Sequence, residues 1–582
     1  MEPTPDAIPD EIDYLVIGSG FGGSVAAATL AAPGRGVFLL ERGKAYPPGS
    51  FPRTPDEMAE NFWDPSNGLH GLFNVWSFEH VDAIVASGLG GGSLIYANVM
   101  LEKPEAWFTQ PMAGGHGDEV WSFTHADLVE HYEAVRRVLH VDELPEEFVA
   151  DHSPKTSRFL DASEGMGRYA PLAVRFRNAA GDPAVGAALD PEPYGSIFGT
   201  PRRTTCRMVG ECDIGCNEGA KSSMDHTFVS QAHAGGATVY TRTEVRSLRR
   251  LDDADQPYRF EVSYVVHPPW AEGHVRDTRL VEEHTIKAKR VVLAAGALGS
   301  TFLMLKNAET LGLPPNSPVG RRFCDNGDLL GLASPRRAAQ DFAANKGPVI
   351  TAYREISDES GSEDGVPPVR MYLQDGGVPT IMLWILKTID APGLISRLVK
   401  DGLGYWWQRV TKGNDNNVSA EASRVMGRSP GIARSLPILA MGEDVPGGRL
   451  SLNRDGILTN SWTPKESAAH FNEVRRHMNS LKERLGARFE KNPDKKTERT
   501  ITVHPLGGCP ADTSRVRGVV DSFGRVHGVP GLWIVDGSVM PGPCGANPSL
   551  TIAAFARRAA VELLREEVDE PPPPAEPMVL EE

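Results

Sequence analysis

A chain of 582 residues has room for roughly two to four domains of about 150 residues each. Hydrophobic residues make up 40% and charged residues 23%, the balance of a soluble globular protein able to bury a large core. The net charge of −16 argues against nucleic acid as a partner and against general docking on anionic membranes.

The opening Met1–Glu11 is acidic and Pro-rich, with no basic stretch leading into an apolar one, so no secretory leader is expected. No apolar run approaches the roughly 18 residues of a membrane span. Six cysteines suggest no disulfide framework, and cytoplasmic residence is the expectation. Tyr14–Ile17 reads as a strand, followed by an Ala-rich helix from Gly22 to about Ala31 and a second strand at Val37–Leu40. The run Gly236–Val245 alternates like a strand. Arg290–Ser300 reads as a buried strand turning into a helix. Gly531–Ser538 reads as a strand into a loop, ahead of a helix near Leu550–Glu566. Between these lie stretches of different texture, with an extended run at Val369–Gln374 and an amphipathic region near 463–487. The pattern predicts an α/β fold, α+β overall: a discontinuous Rossmann-like domain interrupted by a second domain. The Pro-rich, acidic end after Glu566 is predicted to fray into solvent.

Gly18, Gly20 and Gly23 form G-x-G-x-x-G between strand and helix. That spacing permits a tight turn, close approach of the backbone to a pyrophosphate, and close helix packing. The helix N-terminus adds unpaired N–H groups. Glu41 ends the second strand 21 residues after Gly20, where a carboxylate can accept from ribose hydroxyls. A glycine-rich turn with a surface glutamate is the bland alternative. A second glycine run, Gly88 to Asn98, would let main chain pass close to a flat ring or a phosphate, or is an ordinary loop.

Near the other end, His504 stands in His-Pro-Leu-Gly-Gly and Asn547 in Cys-Gly-Ala-Asn-Pro-Ser-Leu-Thr-Ile. An imidazole titrates near neutrality and can accept a hydroxyl proton as hydride leaves the carbon. An amide can hold the same oxygen while uncharged. Asn547-Pro548 precedes a helix whose N-terminus favours negative charge. Asp536 lies just past a strand, where doubly wound sheets bind ligands. A lone His504 reads more simply as a structural loop residue; the joint pattern shifts that weighting.

On these residues the chain resembles the glucose–methanol–choline (GMC) oxidoreductases, and within them the bacterial cholesterol oxidase branch. The likeness runs from about Tyr14 to Ala560. It is strongest at Gly18–Gly23 with Glu41, Gly88–Asn98, Cys206–Asp225, Leu293–Ser300, His504–Gly508 and Asp536–Thr551. It implies an FAD-binding domain at 10–110, 201–328 and 500–566, and a substrate domain with a mixed or antiparallel sheet at 111–200 and 329–499. Residues 1–9 and 567–582 are left as tails. It implies His504 and Asn547 as the alcohol-facing pair. It further implies cofactor contacts at Gly18, Gly20, Phe21, Gly22, Gly23, Glu41 and Arg42, at Gly88, Gly91, Gly92, Ser93 and Asn98, at Val245, Ala295 and Gly296, and at Asp536, Gly537, Asn547 and Pro548. The activity implied is oxidation of a bulky apolar, sterol-like secondary alcohol by hydride transfer to flavin N5, with O2 reoxidising the flavin to give H2O2. A non-oxygen acceptor, or isomerase or lyase chemistry, is the alternative within the family.

Two departures bear on this. Some relatives attach FAD through a histidine after the glycine run, but Ser93–Asn98 has none, so non-covalent FAD is expected. Sterol oxidases use a substrate-domain glutamate for isomerisation, whereas the stretch from Tyr372 offers only Asp375, which puts isomerisation and a sterol in question. Cys206, Cys212 and Cys216 are spaced C-x5-C-x3-C, which fits neither zinc pairs nor ferredoxin clusters, so structural thiols and no metal are expected. The apolar run from Thr380 to Leu386, with Tyr405-Trp406-Trp407, reads as core packing, or else as a substrate-cavity wall or a mouth making transient membrane contact. A nicotinamide dehydrogenase would explain Gly18–Glu41 but leave the second glycine run and the C-terminal block without a role.

Overall fold

The computed structural model describes residues 8–111, 118–251, 257–273, 277–336, 341–358, 369–377, 417–419, 435–489 and 499–569. Its opening strand, Glu11–Ile17, is buried at successive positions from Tyr14 to Ile17, the pattern of a strand covered on both faces. It pairs in parallel with Val37–Leu40 on one side and Glu283–Leu293 on the other. Thr238–Tyr240 extends the sheet beyond Val37–Leu40. The 11-residue strand Glu283–Leu293 is shared along its far edge. Its first half pairs antiparallel with Phe260–Val266, which in turn pairs with Thr243–Arg250; its last three residues pair in parallel with Leu532–Ile534. Chain from three distant stretches thus builds one seven-stranded sheet.

The helix Phe21–Leu30 follows the first strand directly. It lies so close that a Cβ at Gly23 would stand 1.9 Å from the Gly18 carbonyl oxygen, so only glycine fits there. The C-terminal helix Ser549–Asp569 packs its alanines, among them Ala553, Ala556 and Ala560, into the same core as Val25 and Ala26. It runs past Glu566, the end read from sequence, to Asp569. The other terminal residues read as tails lie outside the described residues.

The run read as one strand from Gly236 to Val245 is two. Arg242 adopts φ 55°, donates its N–H to the Gly43 carbonyl and accepts from the His267 N–H. There the chain leaves its parallel partner Val37–Leu40 and starts an antiparallel pair, a turn that alternation of side chains does not reveal.

A second sheet of six antiparallel strands has the order Ala487–Phe489, Leu329–Pro335, Leu436–Gly442, Val369–Asp375, Ala352–Asp358, Gly167–Tyr169. The amphipathic helix Ala468–Arg484 buries Val474, Met478 and Leu481 against Met371, Ile438 and Ala440 on one face of it. A smaller sheet places Thr500–Thr502 in parallel beside Val81–Ala86, itself paired with Phe73–Ser77. This short strand delivers His504 to the space between the two large sheets. Among the described residues no helix is long and apolar enough to cross a membrane. The apolar stretch Thr380 to Leu386 and Tyr405-Trp406-Trp407, read as core, as a substrate-cavity wall or as a lipid-facing mouth, lie outside the described residues.

Candidate active site

One continuous cavity of about 560 Å³ runs from the first glycine loop to His504 and Asn547. At its first end the loop wall is Gly18, Gly20, Phe21 and Gly22, with Glu41 and Arg42 from the end of the second strand and Val245 from the strand Thr243–Arg250. Glu41 is buried, and its carboxylate grips the loop: Oε2 accepts from the Ser19 N–H (3.1 Å) and hydroxyl (2.7 Å), and Oε1 from the Gly43 N–H (2.9 Å). The Ser19 hydroxyl oxygen also accepts from the Gly90 N–H at 2.9 Å. A serine inside G-x-G thereby ties the two glycine runs together, a role the spacing alone does not disclose. Arg42 donates to Asn74 and lies over the Trp63 ring.

Gly91 and Gly92 of the second run face the cavity; Gly88, Ser93 and Asn98 do not, nor does Gly23. The Ser93 hydroxyl donates to the Gly90 carbonyl and accepts from the Met224 N–H, so it shapes the run from behind. Asn98 is fully buried with φ 70°, and neither its Oδ1 nor its Nδ2 has a protein partner. Its neighbours Ala97 and Val99 are on the cavity wall.

Ala295 and Gly296 line the middle, at the start of the helix Gly296–Lys306, with Asp536 and Gly537 beside them. The Asp536 carboxylate is held by the Gly296 N–H (2.9 Å), the Ser300 hydroxyl and the Ser538 N–H (2.9 Å). Burial raises its pKa against those donors. At the far end stand His504, Asn547 and Pro548, the last two immediately before the helix Ser549–Asp569.

The two polar groups there are each held by a residue that sequence reading missed. His504 Nδ1 meets the Asp328 carboxylate at 2.8 and 3.1 Å. Asp328 is 2% exposed and also accepts from the Val503 N–H and the Thr502 hydroxyl, both at 3.0 Å. Its acceptor set leaves it no donor to offer, so His504 carries its proton on Nδ1 and presents Nε2 to the cavity as an acceptor. Asn547 Oδ1 accepts from Gln374 Nε2 at 2.7 Å, which turns the Asn547 NH2 toward the cavity as a donor. Behind Asp328, Asp325 and Asp444 hydrogen-bond one another; burial and the neighbouring carboxylates raise Asp325 well above the carboxylate range, and burial pushes Asp444 up to about 7. No sequence signal marks Asp328 or Gln374, which lie 176 and 173 positions from the residues they hold.

The acid offered for isomerisation is spent elsewhere. Asp375 is fully buried, pairs with Lys155 at 2.5 Å and accepts from the Thr351 and Ala352 N–H groups at 2.7 Å; it does not line the cavity. Cys206, Cys212 and Cys216 are free thiols, and burial pushes Cys206 and Cys212 up.

Two models of the GMC oxidoreductase family match this chain, the N-terminal one at residues 200–327 and the C-terminal one at 461–556. Cholesterol oxidase of Mycobacterium tuberculosis is 28% identical over 97% of this chain and 94% of its own length. The 6'''-hydroxyparomomycin C oxidase of Streptomyces lividus is 26% identical over 94% of this chain and 90% of its own. Formate oxidase of Aspergillus oryzae, whose solved structure covers 96% of this chain and 99% of its own, superposes with a TM-score of 0.57 at 13% identity. The chain belongs to the GMC oxidoreductases: it is an FAD-dependent enzyme acting on CH–OH groups.

The cavity fits that cofactor on two counts. A Cβ built at Gly20 or Gly296 meets nothing within 4 Å, so open space lies where the backbone would meet a pyrophosphate. The buried Asn98 amide, with neither polar atom partnered by protein, stands in the chain between Ala97 and Val99, both on the cavity wall.

Proposed function

We propose that this enzyme oxidises a bulky, largely apolar secondary alcohol to the carbonyl, with O2 taking up the electrons to give H2O2. The observation that carries the reading is the pairing of two free polar groups at one end of the cavity: a His504 Nε2 that accepts and an Asn547 NH2 that donates. The apolar side chains of Leu330, Val349, Ile350, Pro437 and Leu439 form the adjoining wall, which favours a bulky hydrocarbon over a sugar. When bound, FAD supplies the hydride acceptor. The chain's own residues handle the rest. Asn547 holds the hydroxyl oxygen, His504 Nε2 takes its proton, and Asp328 stabilises the imidazolium that results. The N-terminus of the helix Ser549–Asp569 favours negative charge at this end.

The FAD assignment follows the wall: Glu41 and Val245 at the nucleoside end, Gly18–Gly22 and Gly296 at the pyrophosphate, Gly91, Gly92 and Asn547 at the ring, held non-covalently because Ser93–Asn98 has no histidine. The FAD domain is 10–110, 201–328 and 500–566, and the substrate domain 111–200 and 329–499. The strands of the seven-stranded sheet fall in the first set and those of the six-stranded sheet in the second, which supports that division.

Gly20→Val puts a branched side chain into the open space beside the loop. It is expected to yield folded protein with at least about tenfold weaker FAD binding. Flavin absorbance per mole of purified protein checks this; unchanged stoichiometry sinks the loop's assignment. The substrate reading is tested by anaerobic mixing with steroids, terpenoids, long-chain alcohols and sugars. Bleaching of the flavin by bulky secondary alcohols is the expected outcome, and bleaching by sugars alone overturns it.

A further inference from the structure

The cavity wall carries a carboxyl that alcohol oxidation does not use. Asp213 sits in the short turn Cys212–Ile214 and lines the same cavity as His504 and Asn547. Other carboxylates on that wall are engaged by protein: Glu41 by Ser19 and Gly43, Glu244 by His267, Asp328 by His504, and Asp536 by Gly296 and Ser300. Among the described residues, Asp213 has no hydrogen bond or ion pair to its carboxyl group.

Its position is nevertheless fixed. Lys221 Nζ donates to the Cys212 carbonyl at 2.8 Å and to the Leu94 carbonyl at 2.9 Å, stitching the turn to the second glycine run. Ile214 packs with Phe51 and Leu94. Cys212 packs against the cluster that contains Val349 and Ile350, so the turn abuts that apolar wall. Lys221 spends its ammonium on carbonyls and does not pair with Asp213. Burial raises the Asp213 pKa to about 7 despite the attraction of Lys221 and Lys155. A wholly hydrocarbon ligand filling this wall would leave the carboxyl desolvated and without a partner, which is unfavourable. A hydroxyl is the group that suits both of its states, since it can donate to the carboxylate and accept from the acid.

We propose that Asp213 is a substrate-recognition residue, and that the preferred alcohol is a diol whose second hydroxyl meets Asp213 while its carbinol meets His504 and Asn547. This rests on the alcohol-oxidising reading above and narrows its substrate class.

The test uses the FAD-loaded full chain and matched pairs: androst-5-en-3β-ol with androst-5-ene-3β,17β-diol, and dodecan-2-ol with dodecane-2,11-diol. Anaerobic flavin reduction gives kcat/KM, and the shift of the flavin spectrum on titration gives binding. The expected result is a preference for the diol of about tenfold in at least one pair, carried by KM, as one hydrogen bond to a buried polar group provides. That ratio should fall to about one in Asp213→Leu and be kept in Asp213→Asn. A wild-type ratio of one or below in both pairs overturns the proposal without any variant. So does an unchanged ratio in Asp213→Leu, which would make the carboxyl a hydration site only. If no alcohol bleaches the flavin, the oxidation reading fails. The binding titration then still decides on Asp213, because the diol either binds more tightly than its partner or does not.

Discussion

His504→Ala is expected to purify as a yellow, FAD-loaded protein whose flavin is reduced about 10²–10⁴-fold more slowly by alcohol, the range supplied by a positioned general base. The imidazole lines the cavity and is held by Asp328 through Nδ1, and its ring is not part of the hydrophobic clusters that hold the two sheets together. Fold and cofactor content should therefore survive its loss. The backbone around it is anchored without the side chain: the Leu506 and Cys324 main chains exchange hydrogen bonds, and the Gly507 N–H donates to the Gly537 carbonyl. Anaerobic stopped-flow reduction is the measurement, with the visible spectrum as control. Wild-type reduction rates in this variant would remove His504 from its assigned place.

Asp328→Asn is expected to cost nearly as much, on the order of 10²–10⁴-fold in the same step, although the shape of the side chain is kept. The physical reason is the tautomer. Asp328 Oδ2 accepts from the Val503 N–H, a fixed backbone donor, and from the Thr502 hydroxyl. An asparagine must keep its oxygen there, which aims its NH2 at His504 Nδ1. The ring then carries its proton on Nε2, the atom that has to accept the substrate's proton. The substitution should leave FAD binding unchanged and alter kcat far more than KM. A nitrogen-15 spectrum of the imidazole reports the tautomer directly, and a purely structural role for Asp328 would leave that signature in place. Full activity with an altered tautomer would show that proton transfer to Nε2 does not limit the reaction.

What could be read before folding, and what could not, divides along physical lines. Gly18, Gly20 and Gly23, with Glu41 closing the next strand, declare themselves because a tight turn and close helix packing constrain residue type at fixed spacing. The block Asn547-Pro548 before the helix Ser549–Asp569 is similarly local: a break in the chain, then a helix start. The Gly236–Val245 run misled because alternation continues through Arg242 while the backbone turns there to a new partner.

The amino-acid order by itself determined the first glycine loop and the strands that flank it, since each obeys a rule spanning a few neighbouring positions. The tertiary structure alone decided which nitrogen of His504 and which end of Asn547 face the cavity, that Asp375 is consumed by Lys155, and that Asp213, among the described residues, stands unpaired on the wall. Those outcomes depend on partners far away in the chain, and a side chain's hydrogen-bond partner across such a gap leaves no periodicity to read.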